Sequence, residues 1–406
     1  MSEIAVESRL HELRKFVREE LPSRKNELWK YTEIKGNLIP EEAGEQREFR
    51  ITDRVRSIKK ISSIQFVFIN GHFAENLSNT KDLPTGVTLS PLDQILNAEK
   101  ERYLSREFDV KKFPFARLNS SMMTNGMFLE IPKNTVIEKP IHLLFINTEQ
   151  NEFLTNPRNI IIVNQEACVT IIEDHLAENA KRYFTNVVTD IYAKNNSKIC
   201  YYKIQDDDLS AAHVANVFIQ QNQGSSVKTF FLSKGAHLER EDLSVFQKES
   251  SAETEMQGLY RLSQDNQHID HHIHIDHLAA HGTSSMLYKG ILEKKSRAVF
   301  NGKVYVHPHT KQINAHQANH NLLLSKDAEV NSKPELEIYA EDVKCTHGAT
   351  VGQLDEEALF YLRSRGLDKN EAYKLLIKGF LEEIYDKIED ENLRHYIRDR
   401  MCSHDE

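Results

Sequence analysis

The chain is poor in the features that usually mark a secreted, membrane-bound or nucleotide-dependent protein. It has 4 cysteines in 406 residues (Cys168, Cys200, Cys345 and Cys402), widely spaced and never as Cys-x-x-Cys. Usage this sparse fits a reducing compartment rather than a disulfide framework. No apolar run approaches the roughly 20 residues a membrane helix needs, and the opening Met1-Ser-Glu-Ile-Ala-Val-Glu lacks the apolar core of a signal peptide. The expectation is a cytoplasmic protein with no membrane partner. Lys and Arg total 52 against 61 Asp and Glu, a net charge of −9, and no long basic stretch occurs. That argues against nucleic acid, because phosphate binding needs clustered Lys and Arg. Gly-x-x-x-x-Gly-Lys-[Ser/Thr], Gly-x-Gly-x-x-Gly, Gly-x-Ser-x-Gly and His-Glu-x-x-His are all missing. The chain therefore has no phosphate loop, and so no ATP site of its own, and none of the common nucleophile or zinc-protease motifs.

What remains is enough to build a large core, since 39% of residues are hydrophobic. Residues 1–125 read as helical and mixed. Leu10, Leu13, Phe16 and Val17 form a helical stripe that ends near Leu21-Pro22, where proline blocks continuation. The only tryptophan, Trp29, follows and reads as a packing anchor. Residues 126–353 change character. Strand-like segments such as Lys198–Ile204, Val214–Ile219, Val227–Leu232 and Met286–Leu292 recur roughly every 14 to 15 residues. That rhythm favours a β-solenoid, although spacing alone does not separate a β-helix from a large jelly roll. Residues 354–406 read as helical. Asp355 can cap a helix that stops near Gly366, and Asp368 with Glu371 has capping-box spacing. Ala372, Leu375, Leu376, Phe380, Ile384 and Ile388 share one face of the next helix, and Leu393, Ile397 and Met401 mark a last one. These helices would cap the solenoid's open rung or dock a partner.

Two constellations suggest chemistry. His268-Ile-Asp-His-His-Ile-His-Ile-Asp-His277 resembles a metal site, yet as a strand it is simple alternation. Ile269, Ile273 and Ile275 take one face, and His268, Asp270, His272, His274 and Asp276 take the other. The expected role is packing or solvation, with His307, His309, His316 and His320 stacking nearby if the fold is a solenoid. Cys345 and His347 differ in kind. Two residues apart on a strand, both leave the same face and make a soft, metal-competent pair. Two ligands fall short of the usual four, so the pair is half of a site completed by another chain. It is equally a small buried cysteine beside a hydrogen-bonded histidine.

Several stretches carry a resemblance. Arg24-Lys-Asn-Glu-Leu-Trp-Lys-Tyr-Thr32, Tyr288-Lys-Gly-Ile-Leu292, Ala298-Val-Phe-Asn-Gly302 and Asn321–Ser325 resemble the SufB/SufD family of iron–sulfur cluster assembly proteins. So do Ala328–Ile338, Asp342–Gly352 and Phe360-Tyr-Leu-Arg-Ser-Arg-Gly366, and the match is most like the SufD branch. The resemblance implies a mainly β fold, a right-handed parallel β-helix with helical N-terminal and C-terminal regions. It also implies a scaffold subunit without catalysis of its own. That subunit pairs with a SufB-like protein through the β-helix ends, or with itself when alone, and binds a SufC-like ABC ATPase through its C-terminal helices. Cys345 and His347 match positions near the subunit interface where a nascent iron–sulfur cluster is expected to form, shared with SufB. A flavin requirement stays unassigned. No cysteine lies between Cys200 and Cys345, so the sulfur-accepting role of SufB-like chains is not carried over. Two rivals are an autonomous His-rich metal-binding β-solenoid and a polysaccharide-acting β-helix enzyme.

Overall fold

Segments of about ten residues rich in Ile, Val, Phe and Tyr alternate with short turns, and in this computed structural model each becomes one strand of a parallel β-solenoid. The structure describes residues 3–43, 52–58, 61–95, 102–104, 106, 108–148, 151–178 and 180–402. Successive long strands alternate between two sheets, so one rung takes two strands and there are about 7 turns. The first sheet begins with β2 (His72–Phe73), β1 (Ile64–Ile69), β5 (Ile141–Asn147), β8 (Cys168–Ala177) and β10 (Lys198–Asp206). It continues through β12 (Ser226–Ser233), β14 (Glu253–Leu262), β16 (Thr283–Leu292), β18 (Ile313–Leu323) and β20 (Val343–Gly352). The second runs from β3 (Thr88–Pro91) and β4 (Met127–Ile131) to β7 (Arg158–Val163), β9 (Tyr183–Ala193) and β11 (Ala212–Gln221). It ends with β13 (Leu238–Gln247), β15 (His268–His277), β17 (Arg297–Val306) and β19 (Glu329–Ile338), while β6 (Phe153–Thr155) pairs with β9. The spacing read in the sequence is thus half a rung.

Every second residue points between the sheets, where Ile171, Val217, Leu243, Ile273 and Phe300 join one continuous core. The outer faces are covered as well, which is why most strands are buried on both sides. On the second sheet the cover is the N-terminal region. Its helix α1 (Glu3–Lys15) contributes Leu13; α2 (Asp53–Ile58) lies against β1 instead, and α3 (Pro114–Met122) adds Phe115. Trp29 is buried beneath them, with the Arg240 guanidinium 4.2 Å from its ring. On the first sheet the cover is C-terminal. Helices α4 (Glu356–Ser364), α5 (Lys369–Tyr385) and α6 (Glu391–Cys402) follow, and α5 starts with the complete Asp368–Glu371 capping box. Leu381, Ile384, Leu393 and Ile397 pack on Tyr202, Phe230 and Ile291. Each such side chain is worth about 1.5–3 kcal/mol when fully buried. Arg400 locks α6 in place through Asp174 at 2.6 Å and Asp206 at 3.1 Å.

Helices α5 and α6 therefore run along a sheet, α4 rests on α5, and the residues of β20 stay mostly exposed. Leu375, expected on the apolar face of α5, is instead 47% exposed. At the end of the solenoid β19 and β20 each pair on one side only among the described residues, with β17 and β18 respectively.

Candidate functional site

Strand β20 holds Cys345 opposite Ala315 and His347 opposite Gln317 of β18. Ala315 and Gln317 are buried and face the interior, so strand alternation turns Cys345 and His347 the same way. With no further rung above them, Cys345 is half-buried at the margin of the core and His347 is exposed. Burial pushes the Cys345 thiol up from its ordinary value, so thiolate ligation to a metal there would release a proton. Beneath His347 the Gln317 amide bridges the two sheets. Its nitrogen donates to the Gly302 carbonyl and its oxygen accepts from the Glu335 N–H, each at 3.2 Å in the orientation that satisfies both groups.

On the outward face of the same strand, His316 Nδ1 lies 2.7 Å from Thr346 Oγ1 and His320 Nδ1 lies 2.8 Å from Thr350 Oγ1. These two histidines stand on the first sheet and do not join the His-rich strand β15, which belongs to the second. His307 does join it, 3.1 Å from Asp276.

The His-rich strand adopts the expected alternation, with Ile269, Ile273 and Ile275 inside. Its polar face is closed at one end by the N-terminal region. Asp270 is buried against Arg240 at 2.7 Å, and His268 Nε2 meets Thr32 Oγ1 at 2.7 Å. His272 pairs with Asp270 at 3.1 Å and His274 with Asp276 at 3.2 Å. Among the described residues no group of three or more His, Cys, Asp or Glu is arranged to hold a metal. On β15, His272 and His274 are taken up by carboxylates and His268 and His277 by the Thr32 and Ser284 hydroxyls, and Cys345 with His347 is a pair of ligand-type side chains, two in number.

What sequence reasoning missed lies inside the rungs. Glu173 and His175 on β8, Lys203 on β10, His213 on β11, Glu239 and Glu241 on β13 and His271 on β15 are all buried and point inward. Lys203 Nζ donates to Glu241 at 2.7 Å, and Tyr201 OH donates to Glu173 at 2.7 Å. Burial would raise Glu173, but His175, Lys203 and Tyr201 outweigh it and hold it at about 2. Burial lifts Glu241 to about 7 despite Lys203, and burial with Lys203 nearby drops His213 to about 4. The signal was present in principle, since Ile199, Tyr201 and Lys203 share one strand face, but nothing in the sequence says which face is inside. Cys200 points outward beneath the C-terminal helices, where burial pushes its thiol up to about 11.

Comparisons with known proteins agree with this architecture. A family model described as "SUF system FeS cluster assembly, SufBD core domain" matches residues 145–380, and "SufBD protein N-terminal region" matches residues 1–143. An iron–sulfur cluster assembly SufBD family protein of Synechocystis is 34% identical, covering 91% of this chain and 84% of its own length. The iron–sulfur cluster assembly protein SufD of Escherichia coli is 28% identical over 96% of this chain and 90% of its own. SufB of Bacillus subtilis is 26% identical, over 73% and 64% respectively.

Proposed function

This chain belongs to the SufBD family of iron–sulfur cluster assembly proteins, and from that we propose that it is the non-catalytic, SufD-like scaffold subunit of a cytoplasmic assembly complex. It pairs with a SufB-like subunit through the unfinished rung and offers Cys345 and His347 to a nascent cluster, which is the cargo of the complex. The observation that supports this reading is the Cys345–His347 pair itself, two ligand-type side chains on a rung that, among the described residues, is open at one side. Thiolates are the usual cluster ligands, and a histidine in their place retunes the site. A partner's strand stacked on β20 would bury the pair and bring further ligands.

A second surface supports docking of a SufC-like ABC ATPase. Phe360 is 74% exposed and Tyr361 56% on α4, and Leu375 is 47% exposed on the adjoining α5; large exposed apolar side chains on neighbouring helices suit an interaction site. ATP would then be hydrolysed by the partner, in keeping with the missing phosphate loop here.

The test is size-exclusion chromatography with light scattering of this chain mixed with SufB-like and SufC-like proteins. A stable complex of all three is expected, with Phe360→Asp plus Leu375→Asp removing only the ATPase. Folded components that fail to associate would overturn the reading. A double variant that keeps the ATPase would move its docking surface elsewhere.

A further inference from the structure

One row of side chains joins the C-terminal helices to the strand of Cys345 and His347. Lys289 of β16, His320 of β18 and Thr350 of β20 are register neighbours on the outward face of the first sheet. At one end of the row, Lys289 Nζ donates to the Phe380 carbonyl at 2.7 Å and pairs with Glu383 at 2.6 Å, both on α5. The Lys289 ammonium also sits 4.7 Å from the centre of the Phe380 ring. At the other end His320 holds Thr350. The row beside it runs Ser285, His316, Thr346, and its last residue lies between Cys345 and His347 in the chain.

We propose that His320, with His316 in support, is a positioning residue that carries the placement of α5 through Lys289 to β20 and so sets the presentation of Cys345 and His347. The proposal rests on the reading of α4 and α5 as an ATPase-docking surface and adds the route by which docking reaches the ligand pair. Three features make the route physical. First, among the described residues β20 has a strand on one side only, so beyond the core contacts of Val343 and Cys345 it is β18 and the two His–Thr bonds that hold it, whereas inner strands are gripped from both sides. Second, Lys289 is buried and held by three groups of α5, so that helix cannot shift without pulling on β16. Third, His320 senses the α5 end of the row while holding Thr350 at the other: burial lowers its affinity for a proton, Lys289 lowers it further and Glu383 opposes them. A neutral ring keeps one nitrogen free to accept the Thr350 hydroxyl.

The deciding experiment is a double-mutant cycle on the full chain with Lys289→Met and Thr350→Val, reading the peptide-resolved alkylation rate of Cys345 and amide exchange along β20. Lys289→Met is expected to change the Cys345 rate about threefold or more and to have no further effect once Thr350 is Val. Lys228→Met breaks a Glu389 contact elsewhere on the same face and should leave Cys345 at the wild-type rate. His320→Leu should mimic Thr350→Val, and His320→Gln should restore the wild-type rate. Independent, multiplying effects would overturn the proposal, as would a Lys289→Met or His320→Leu that lowers thermal stability while Cys345 reacts at the wild-type rate. In the assembled complex, an ATP-dependent change in Cys345 alkylation should be lost in His320→Leu. If the wild-type chain binds no ATPase, the docking reading fails, and the cycle on the free chain still decides the row.

Discussion

The middle of the solenoid and its last rung share a backbone and differ in almost everything else. On β8 and β10 the inward positions hold Glu173 and Lys203, fully enclosed and fully paired. On β20 other inward-facing positions hold Cys345 and His347, one half-buried and the other exposed. Charge is placed where the fold already supplies its partners. The cysteine and histidine of the proposed site are placed where the rungs end. A side chain's environment in a stacked structure thus follows from rung number as much as from residue type, because each rung is covered only by its neighbours.

The largest way to break that contrast is Lys203→Met. It leaves Glu173 and Glu241 buried without their cation and should cost about 3–5 kcal/mol in urea unfolding. Adding Glu241→Leu should recover part of the loss. Equal stability of wild type and Lys203→Met would mean the interior pairs carry no weight. Next comes Arg400→Ala, which removes the guanidinium from the buried Asp174 and Asp206, leaving His142 beside the first and Lys234 beside the second. A loss of about 2–4 kcal/mol is expected, with amide exchange rising first in α6 and staying slow in β10 to β15.

The interior also has a pH signature. Glu241 has its folded value raised to about 7 from an ordinary 4.5. Its contribution is complete below 4.5 and is lost as pH climbs through about 7. Glu173, held at about 2, behaves oppositely: its contribution is present above 4.5 and lost as the solution is acidified toward 2. Glu241→Gln should therefore flatten the decline in stability between pH 4.5 and 7, by on the order of 1 kcal/mol or more. An unchanged slope would remove Glu241 as the titrating group. The smallest effect belongs to the last rung. Cys345→Ser with His347→Ala should move stability by only about 0.5 kcal/mol, while cluster formation in the complex falls. A large loss of stability would instead make the pair part of the core.

The strands were legible because alternation survives even where the residues are unusual. Ile269, Ile273 and Ile275 fix the face of β15 whatever the histidines do. The two-strand rung was not legible. Its corners use Asn134, Glu166, Asn196, Asn266 and Lys294 in left-handed backbone conformations, so no glycine signature recurs at fixed spacing. Without the rung, His316 and His320 could not be assigned to the sheet opposite His272. Nor does alternation name the inner face, which is why Lys203 and Glu241 passed unnoticed. The early strand Ile64–Ile69 was missed for a different reason: it is one short apolar run inside a region dominated by helical patterns. Cys345 and His347 stood out through chemistry alone, and their spacing on one strand face was legible.

The two loose edges at the end of the solenoid are not alike. At the centre of β19 stand Lys333, Pro334 and Glu335, a proline and charges that discourage another strand from pairing. β20 has no proline, and its one charged side chain is Lys344 near its start. An end that was sticky on both strands would recruit copy after copy and grow into a fibre. With one strand guarded, addition at β20 uses up the receptive edge at this end among the described residues, and growth there terminates. Self-association should therefore saturate with concentration at a closed pair, and a better-matched partner would simply compete for the same strand.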